Sequence, residues 1–244
     1  AVLYFNELNI DENNPKWEYR DRFVLSKGHC VAALYSALAL RGFFDLEELD
    51  KFRKIDGKLQ GHPDMKKVPG IDMSTGSLGQ GISVAVGMAM AGKMGNKGYR
   101  VYTILGDGEI EEGQVWEAAM SAAHYKLDNL CIIVDNNNLQ IDGTIEDVMN
   151  SNPIDEKFRS FGFNVITIDG NNIFEILFAF KKAKTIKDKP TCIVAKTVKG
   201  KGVSFMENKV EWHGKAPNKE QYNDAMMILS PSPKNHHCKN FWGE

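Results

Sequence analysis

Two short apolar runs that each stop at a loop of glycine, aspartate and asparagine limit the possible folds of this chain more than any other feature. Residues 99–105 run into GDGEIEEGQVWEAAM (residues 106–120), and residues 130–135 run into DNNNLQIDG (residues 135–143). Both runs read as buried strands. The segment between them, residues 114–125, puts Val115, Ala118, Ala119 and Ala122 on one helical face. Strand, helix and strand in that order make a βαβ unit with parallel strands, so the two loops open at the same edge of one sheet.

The rest of the chain repeats this alternation. Residues 23–25 predict a short strand, followed by SKGHC and then by VAALYSALALRG, a helix stopped by Gly42. Asp45 is placed to cap a short helix through Phe52, and residues 54–70 form a long loop punctuated by glycine and proline. MSTGSLGQGISVAVGMAMAGKM is apolar around its whole circumference after Leu78 and predicts a buried, closely packed helix. Residues 164–168 and 191–196 add two strands, with an amphipathic crossover helix over 173–184, and a last helix is expected over 219–229. The expected fold class is α/β: a doubly wound, mostly parallel sheet flanked by helices. At 244 residues and 43% hydrophobic the chain can bury one large core. A single domain over residues 1–244 is expected, with 230–244 as a surface tail. AVLYFNEL begins without Met and reads as the end of an apolar helix, so the numbering is expected to start inside a longer natural protein.

Charge and composition exclude several function classes. The formal charge of -2 argues against a nucleic-acid-binding surface. No apolar run reaches the roughly 20 residues of a membrane-spanning helix, and no leader opens the chain. Cys30, Cys131, Cys192 and Cys238 form no Cys-x-x-Cys pair, which fits reduced thiols in the cytoplasm. No P-loop is present, and no Gly-x-Gly-x-x-Gly turn stands in a Rossmann setting.

Asp107 stands between Gly106 and Gly108 at a strand end, where small neighbours free the backbone for a ligand and let the carboxylate point outwards. Gly-Asp-Gly is also favourable turn chemistry in its own right. The second loop weighs against a plain turn, because the Asn137 amide oxygen and the Leu139 carbonyl complete a set of three hard oxygen donors. Mg²⁺ takes such donors, with phosphate and water filling the remaining positions. Glu109, Glu111 and Glu112 crowd the start of the next helix, and two of the three are expected only to stabilise its dipole. His29 in SKGHC, His62 in LQGHPD and His213 in EWHGKAP each sit beside glycine. A site role and an ordinary loop role both remain open for them. His124 reads as structural, while His236, His237 and Cys238 read as a solvated tail. KTVKGKG (residues 196–202) is either a phosphate-facing lid or a solvated basic loop.

Taken in order, DRFVLSKGH, GHPDM, MSTGSLGQG, GDGEIEEGQVWEAA, DNNNLQIDG, KTVKGKG and EWHGKAP closely resemble the amino-terminal, diphosphate-binding part of transketolase. The compact form is most similar to the amino-terminal subunit of a transketolase split into two polypeptides. The resemblance implies thiamine diphosphate with Mg²⁺, for which Ca²⁺ or Mn²⁺ substitutes, and makes Asp107, Asn137 and the Leu139 carbonyl the metal ligands. Gly106 and Gly108 would lie against the diphosphate, and Gly76, Leu78 and Ile141 would shape the thiamine-side pocket. His29, His62 and His213 would line the cofactor and sugar channel, with His213 also approaching the diphosphate. Glu112 would reach across the subunit interface towards an activating glutamate carried by a carboxy-terminal partner subunit, in a heterotetramer.

The implied reaction, of the kind found in the pentose phosphate pathway, moves a two-carbon ketol unit from a ketose phosphate to an aldose phosphate. The resemblance also implies a further histidine-bearing segment ahead of Ala1. Two other readings are a different thiamine-diphosphate ketol transferase or synthase, and a non-catalytic thiamine-fold interaction module.

Overall fold

A computed structural model describes residues 1–230; the expected surface tail, with His236, His237 and Cys238, lies outside the described residues. In chain order the strands are β1 (Arg22–Leu25), β2 (Val101–Gly106), β3 (Leu130–Asn136), β4 (Leu139–Gln140), β5 (Gly143–Thr144), β6 (Asn164–Asp169) and β7 (Thr191–Lys196). The helices are α1 (Val31–Arg41), α2 (Gln80–Met94), α3 (Gly113–His124), α4 (Ile145–Val148), α5 (Ile154–Ser160), α6 (Ile173–Thr185) and α7 (Lys219–Leu229). Five strands form one sheet in the order β1-β2-β3-β7-β6, and every pairing in it is parallel. β4 and β5 form a separate two-stranded antiparallel hairpin.

The expected single core is two layers, because the sheet runs through the middle and its strands are buried on both faces. Along β3, Leu130, Ile132 and Val134 join α2, α3 and α5 on one face, while Cys131 and Ile133 join α1 and α6 on the other. This alternation on a continuously apolar strand is what a parallel sheet covered by helices requires. Val115, Ala118, Ala119 and Ala122 are all buried, as the helical spacing of α3 predicts. Gly42 ends α1 in the left-handed conformation, φ 96°, where glycine carries no Cβ penalty. Asn172 and Asn218 cap α6 and α7 through their side chains.

Two local expectations are corrected. Asp45 precedes a 3-10 turn, Leu46–Lys51, and offers it no side-chain cap; its backbone carbonyl accepts the Glu48 N–H at 3.0 Å instead. α2 is not enclosed all round. Ile82, Ala85, Val86 and Ala89 are buried, but Gly87, Ala91 and Met94 face outwards.

The two sides of α2 differ sharply in how much space they leave. A Cβ on Gly81 would stand 2.7 Å from the Ser26 Cα, so α2 lies flush on the end of β1, whereas a Cβ on Gly87 would meet nothing within 4 Å. Alanine ordinarily stabilises a helix interior over glycine by about 0.5–1 kcal/mol. Gly87→Ala is therefore expected to raise the unfolding free energy by about that amount. Gly81→Ala is expected to lower it by about 1–2 kcal/mol, because overpacking against backbone outweighs the helix gain. Denaturant titration of both variants measures the opposite signs.

Candidate functional site

The parallel register brings the carboxyl ends of β1, β2, β3 and β7 to one edge, where a doubly wound sheet offers its ligand crevice. β2 delivers Asp107, which is only 2% exposed. Its Oδ2 accepts the Asn138 N–H at 2.5 Å and the Asn136 side-chain N–H at 3.1 Å, and its Oδ1 accepts the Gly108 N–H at 3.0 Å. Burial pushes the Asp107 carboxyl above the usual range, these bonds resist the shift, and the nearby Asp135 charge adds to it. A buried carboxylate held by neutral N–H donors still lacks an opposite charge.

β3 delivers the other oxygens. Asn137 is buried and its Oδ1 accepts the Leu139 N–H at 3.1 Å; Asn138 takes a left-handed conformation, φ 61°, and Leu139 pairs with Thr144 in the β4–β5 hairpin. An Asx turn is therefore present at Asn137, and the flanking Asn136 and Asn138 tie this loop to Asp107. No cluster of three or more His, Cys, Asp or Glu side chains suited to a metal occurs among the described residues. The donor set is instead one carboxylate, one amide oxygen and one backbone carbonyl, all hard. It fits a Mg²⁺ ion whose remaining positions go to phosphate and water.

The same sheet edge carries a group of basic side chains. Lys27, just beyond β1, sends its ammonium to Asp135 Oδ2 at 2.5 Å, and the Thr197 hydroxyl, just beyond β7, donates to Asp135 Oδ1. Burial is the strongest single influence on Lys27 and opposes its charge, but Asp135, Cys30 and Asp107 together raise the lysine pKa; the Asp135 pKa is lowered despite its own burial. Lys199 lies 3.1 Å from His213 Nδ1, and the His213 and His29 rings are 5.3 Å apart between centroids. Burial and then Lys27 lower the Lys199 pKa. Burial, followed by Lys27, His213, Lys199 and His62, lowers His29 to about 4; burial and the two lysines lower His213. Basic groups that suppress one another's charge make a seat for an anion, which would relieve the repulsion. Candidate metal donors and this basic group at one sheet edge fit a metal-bound diphosphate.

Glycines let the surrounding loops close on each other. A Cβ on Gly28 would fall 2.7 Å from Thr75 Oγ1 and 3.0 Å from the Gly76 nitrogen, and one on Gly76 would meet His62 Cδ2 at 3.1 Å. The loops carrying His29, His62 and Gly76 are thus in contact, with the His62 carbonyl fixed by the Tyr35 hydroxyl at 3.0 Å. Leu78 and Ile141 are apolar and open, 38% and 68% exposed. A Cβ on Gly108 would come within 3.3 Å of Gln140, whereas one on Gly106 would have no neighbour closer than 3.9 Å.

The three glutamates take different places at the start of α3. The acidic residues precede α3 in a 3-10 turn, Glu109–Glu111, and no acid lies in the first turn of the helix itself. The Glu109 side chain points inwards. Glu111 accepts the Gln140 side-chain N–H at 2.9 Å. Glu112 is the exposed N-cap residue of α3, and its carboxylate has no hydrogen bond among the described residues. Sequence reasoning missed Lys27 and Glu109 and left Lys199 undecided; only its place at the end of an apolar strand hinted at Lys199.

Comparison with known proteins agrees with this geometry. The family described as "Transketolase, thiamine diphosphate binding domain" matches residues 1–237. A protein of Clostridium sp. (strain MSTE9) named as a 6-deoxy-6-sulfo-D-fructose transketolase subunit is 48% identical over 229 residues, 94% of this chain and 83% of that protein. A protein of Phocaeicola vulgatus named as an apulose-4-phosphate transketolase subunit is 44% identical, over 94% of this chain and 82% of its own length. The crystal structure of transketolase from Campylobacter jejuni superposes with a TM-score of 0.86 at 37% identity, covering 93% of this chain. The chain spans 36% of that transketolase and 34% of the human enzyme, to which it is 44% identical. By sequence and by fold, the chain belongs to the transketolase family of transferases, through that family's thiamine diphosphate binding domain.

Proposed function

We propose that this chain, as one domain over residues 1–244, is the diphosphate-binding subunit of a two-chain transketolase. It transfers a two-carbon ketol unit from a ketose phosphate to an aldose phosphate and is active only with a carboxy-terminal partner subunit. The observation that carries this reading is the meeting at one sheet edge of buried Asp107, which has no ion pair among the described residues, with Lys27, Lys199, His29 and His213. Asp107, Asn137 and the Leu139 carbonyl hold Mg²⁺, or Ca²⁺ or Mn²⁺ in its place, and Gly106 and Gly108 leave the backbone open to the diphosphate. Lys199 and His213 meet its negative oxygens.

When bound, thiamine diphosphate supplies the electron sink for a ketol fragment. This chain's side chains bind, orient and move protons. Gly76, Leu78 and Ile141 exclude water from the thiamine side. His29, whose lowered pKa leaves it neutral at pH 7, offers a free imidazole nitrogen to orient a sugar hydroxyl, with His62 and His213 along the same channel.

A partner is supported by the exposed, unpaired Glu112, by open Leu78 and Ile141, and by relatives named as subunits. Two copies of each chain would form a heterotetramer, and the partner would bring the activating glutamate. No helix among the described residues is long and apolar enough to cross a membrane. Cys30, Cys131 and Cys192 are free thiols, which supports a reducing, cytoplasmic setting.

The test combines the purified chain with its cognate partner, thiamine diphosphate and Mg²⁺, and follows ketol transfer from xylulose 5-phosphate to ribose 5-phosphate. 6-Deoxy-6-sulfofructose and apulose 4-phosphate are assayed in parallel as donors, since relatives are named for them. Turnover of the pentose pair is expected; a verified complex that transfers from none of the donors refutes the reading. Asp107→Ala is expected to abolish Mg²⁺-dependent retention of thiamine diphosphate, read by equilibrium dialysis with and without chelator. Lys199→Met is expected to weaken cofactor binding about tenfold, the scale of one charge-assisted contact. His29→Asn is expected to lower kcat about a hundredfold while cofactor affinity stays within a few-fold, which steady-state kinetics separates.

A further inference from the structure

Glu109 is only 3% exposed and lies two residues past Asp107, yet its carboxylate bonds none of the candidate metal donors. Its Oε1 accepts the Ser26 hydroxyl at 2.5 Å and the Gly79 N–H at 2.9 Å, and its Oε2 accepts the Gly106 N–H at 3.0 Å. The three donors come from separate segments of chain. Ser26 follows β1 and leads through Lys27 to His29. Gly79 precedes α2 and follows Gly76 and Leu78. Gly106 ends β2 and leads to Asp107 and Gly108. We infer that Glu109 is a positioning residue: one buried carboxylate sets the spacing of the histidine loop, the thiamine-side loop and the diphosphate floor, without itself touching the cofactor.

The chemistry of the group explains why an acid stands here. Three donors converge, and an ionised carboxylate offers acceptors only. A glutamine of the same shape would turn an N–H₂ towards at least one N–H. The geometry on the donor side is equally restricted, because Gly79 has φ 79°, a left-handed conformation that aims its amide at Glu109 and that glycine adopts without a Cβ penalty. Ser26 is held from the other side as well, since α2 lies against it at Gly81. Displacing the carboxylate frees all three segments at once, and the loss falls on cofactor binding because each segment carries part of that surface.

This inference rests on the thiamine diphosphate reading above, and the experiment separates the two. Thiamine diphosphate with Mg²⁺ is titrated calorimetrically into the two-chain complex of the wild type, Glu109→Gln and Ser26→Ala. Melting temperatures are taken without cofactor, and kcat is taken at saturating cofactor. For Glu109→Gln the cofactor Kd is expected to rise at least about tenfold, with kcat at saturating cofactor falling by less than the about hundredfold of His29→Asn. Ser26→Ala, which keeps two of the three bonds, is expected to give a rise of about two- to fivefold. A purely structural role would lower the melting temperature and leave Kd unchanged well below it, so folded variants with wild-type Kd overturn the inference. If Glu109→Gln does not fold, Ser26→Ala decides by the same criterion. A wild-type complex that binds no thiamine diphosphate refutes the cofactor reading itself, and with it the premise of this one.

Discussion

Everything at the candidate site depends on four neighbouring strands running in the same direction. Because β1, β2, β3 and β7 are parallel and adjacent, Ser26 and Lys27, Gly106 and Asp107, Asn136 and Asn137, and Thr197 and Lys199 all leave the sheet at one edge. An antiparallel neighbour would have sent its following loop to the opposite edge. The burial of both sheet faces, which gives β3 its unbroken apolar run, also fixes the register that lines up these strand ends.

Electrostatics then divides that edge into two halves with opposite needs. Asp107 is a buried acid with no ion pair among the described residues, and Lys199, His29 and His213 are basic groups kept from charging by burial and by one another and Lys27. Lys27 could have neutralised Asp107, but Asp135 holds it, with Thr197 on the other carboxylate oxygen. A metal and an anion together would satisfy both, and either alone would leave a buried charge uncompensated.

Most of the architecture was legible in the sequence because it follows from periodicity. The strand runs, the α3 face of Val115, Ala118, Ala119 and Ala122, and the stop at Gly42 each depend on near neighbours in the chain. The helix α2 shows where that reasoning gives out: its apolar composition predicts burial on all sides, yet burial depends on which elements are present to cover Gly87, Ala91 and Met94. Within the site, the paired loops could be read as oxygen donors because their residue types announce themselves. Glu109 could not be read the same way. Three glutamates close together before a helix look alike, and only the tertiary approach of Ser26 and Gly79 distinguishes the one that points inwards.

The bonds that hold the site together join distant points along the chain. Lys27 and Asp135 are 108 residues apart, Ser26 and Glu109 are 83 apart, and Thr197 and Asp135 are 62 apart. The parallel pairings beneath them span similar separations, Arg22 with Val101 and Cys131 with Thr191, so these bonds close with the sheet itself. A sheet that opens between β1 and β2 or between β3 and β7 therefore loses the crevice with it.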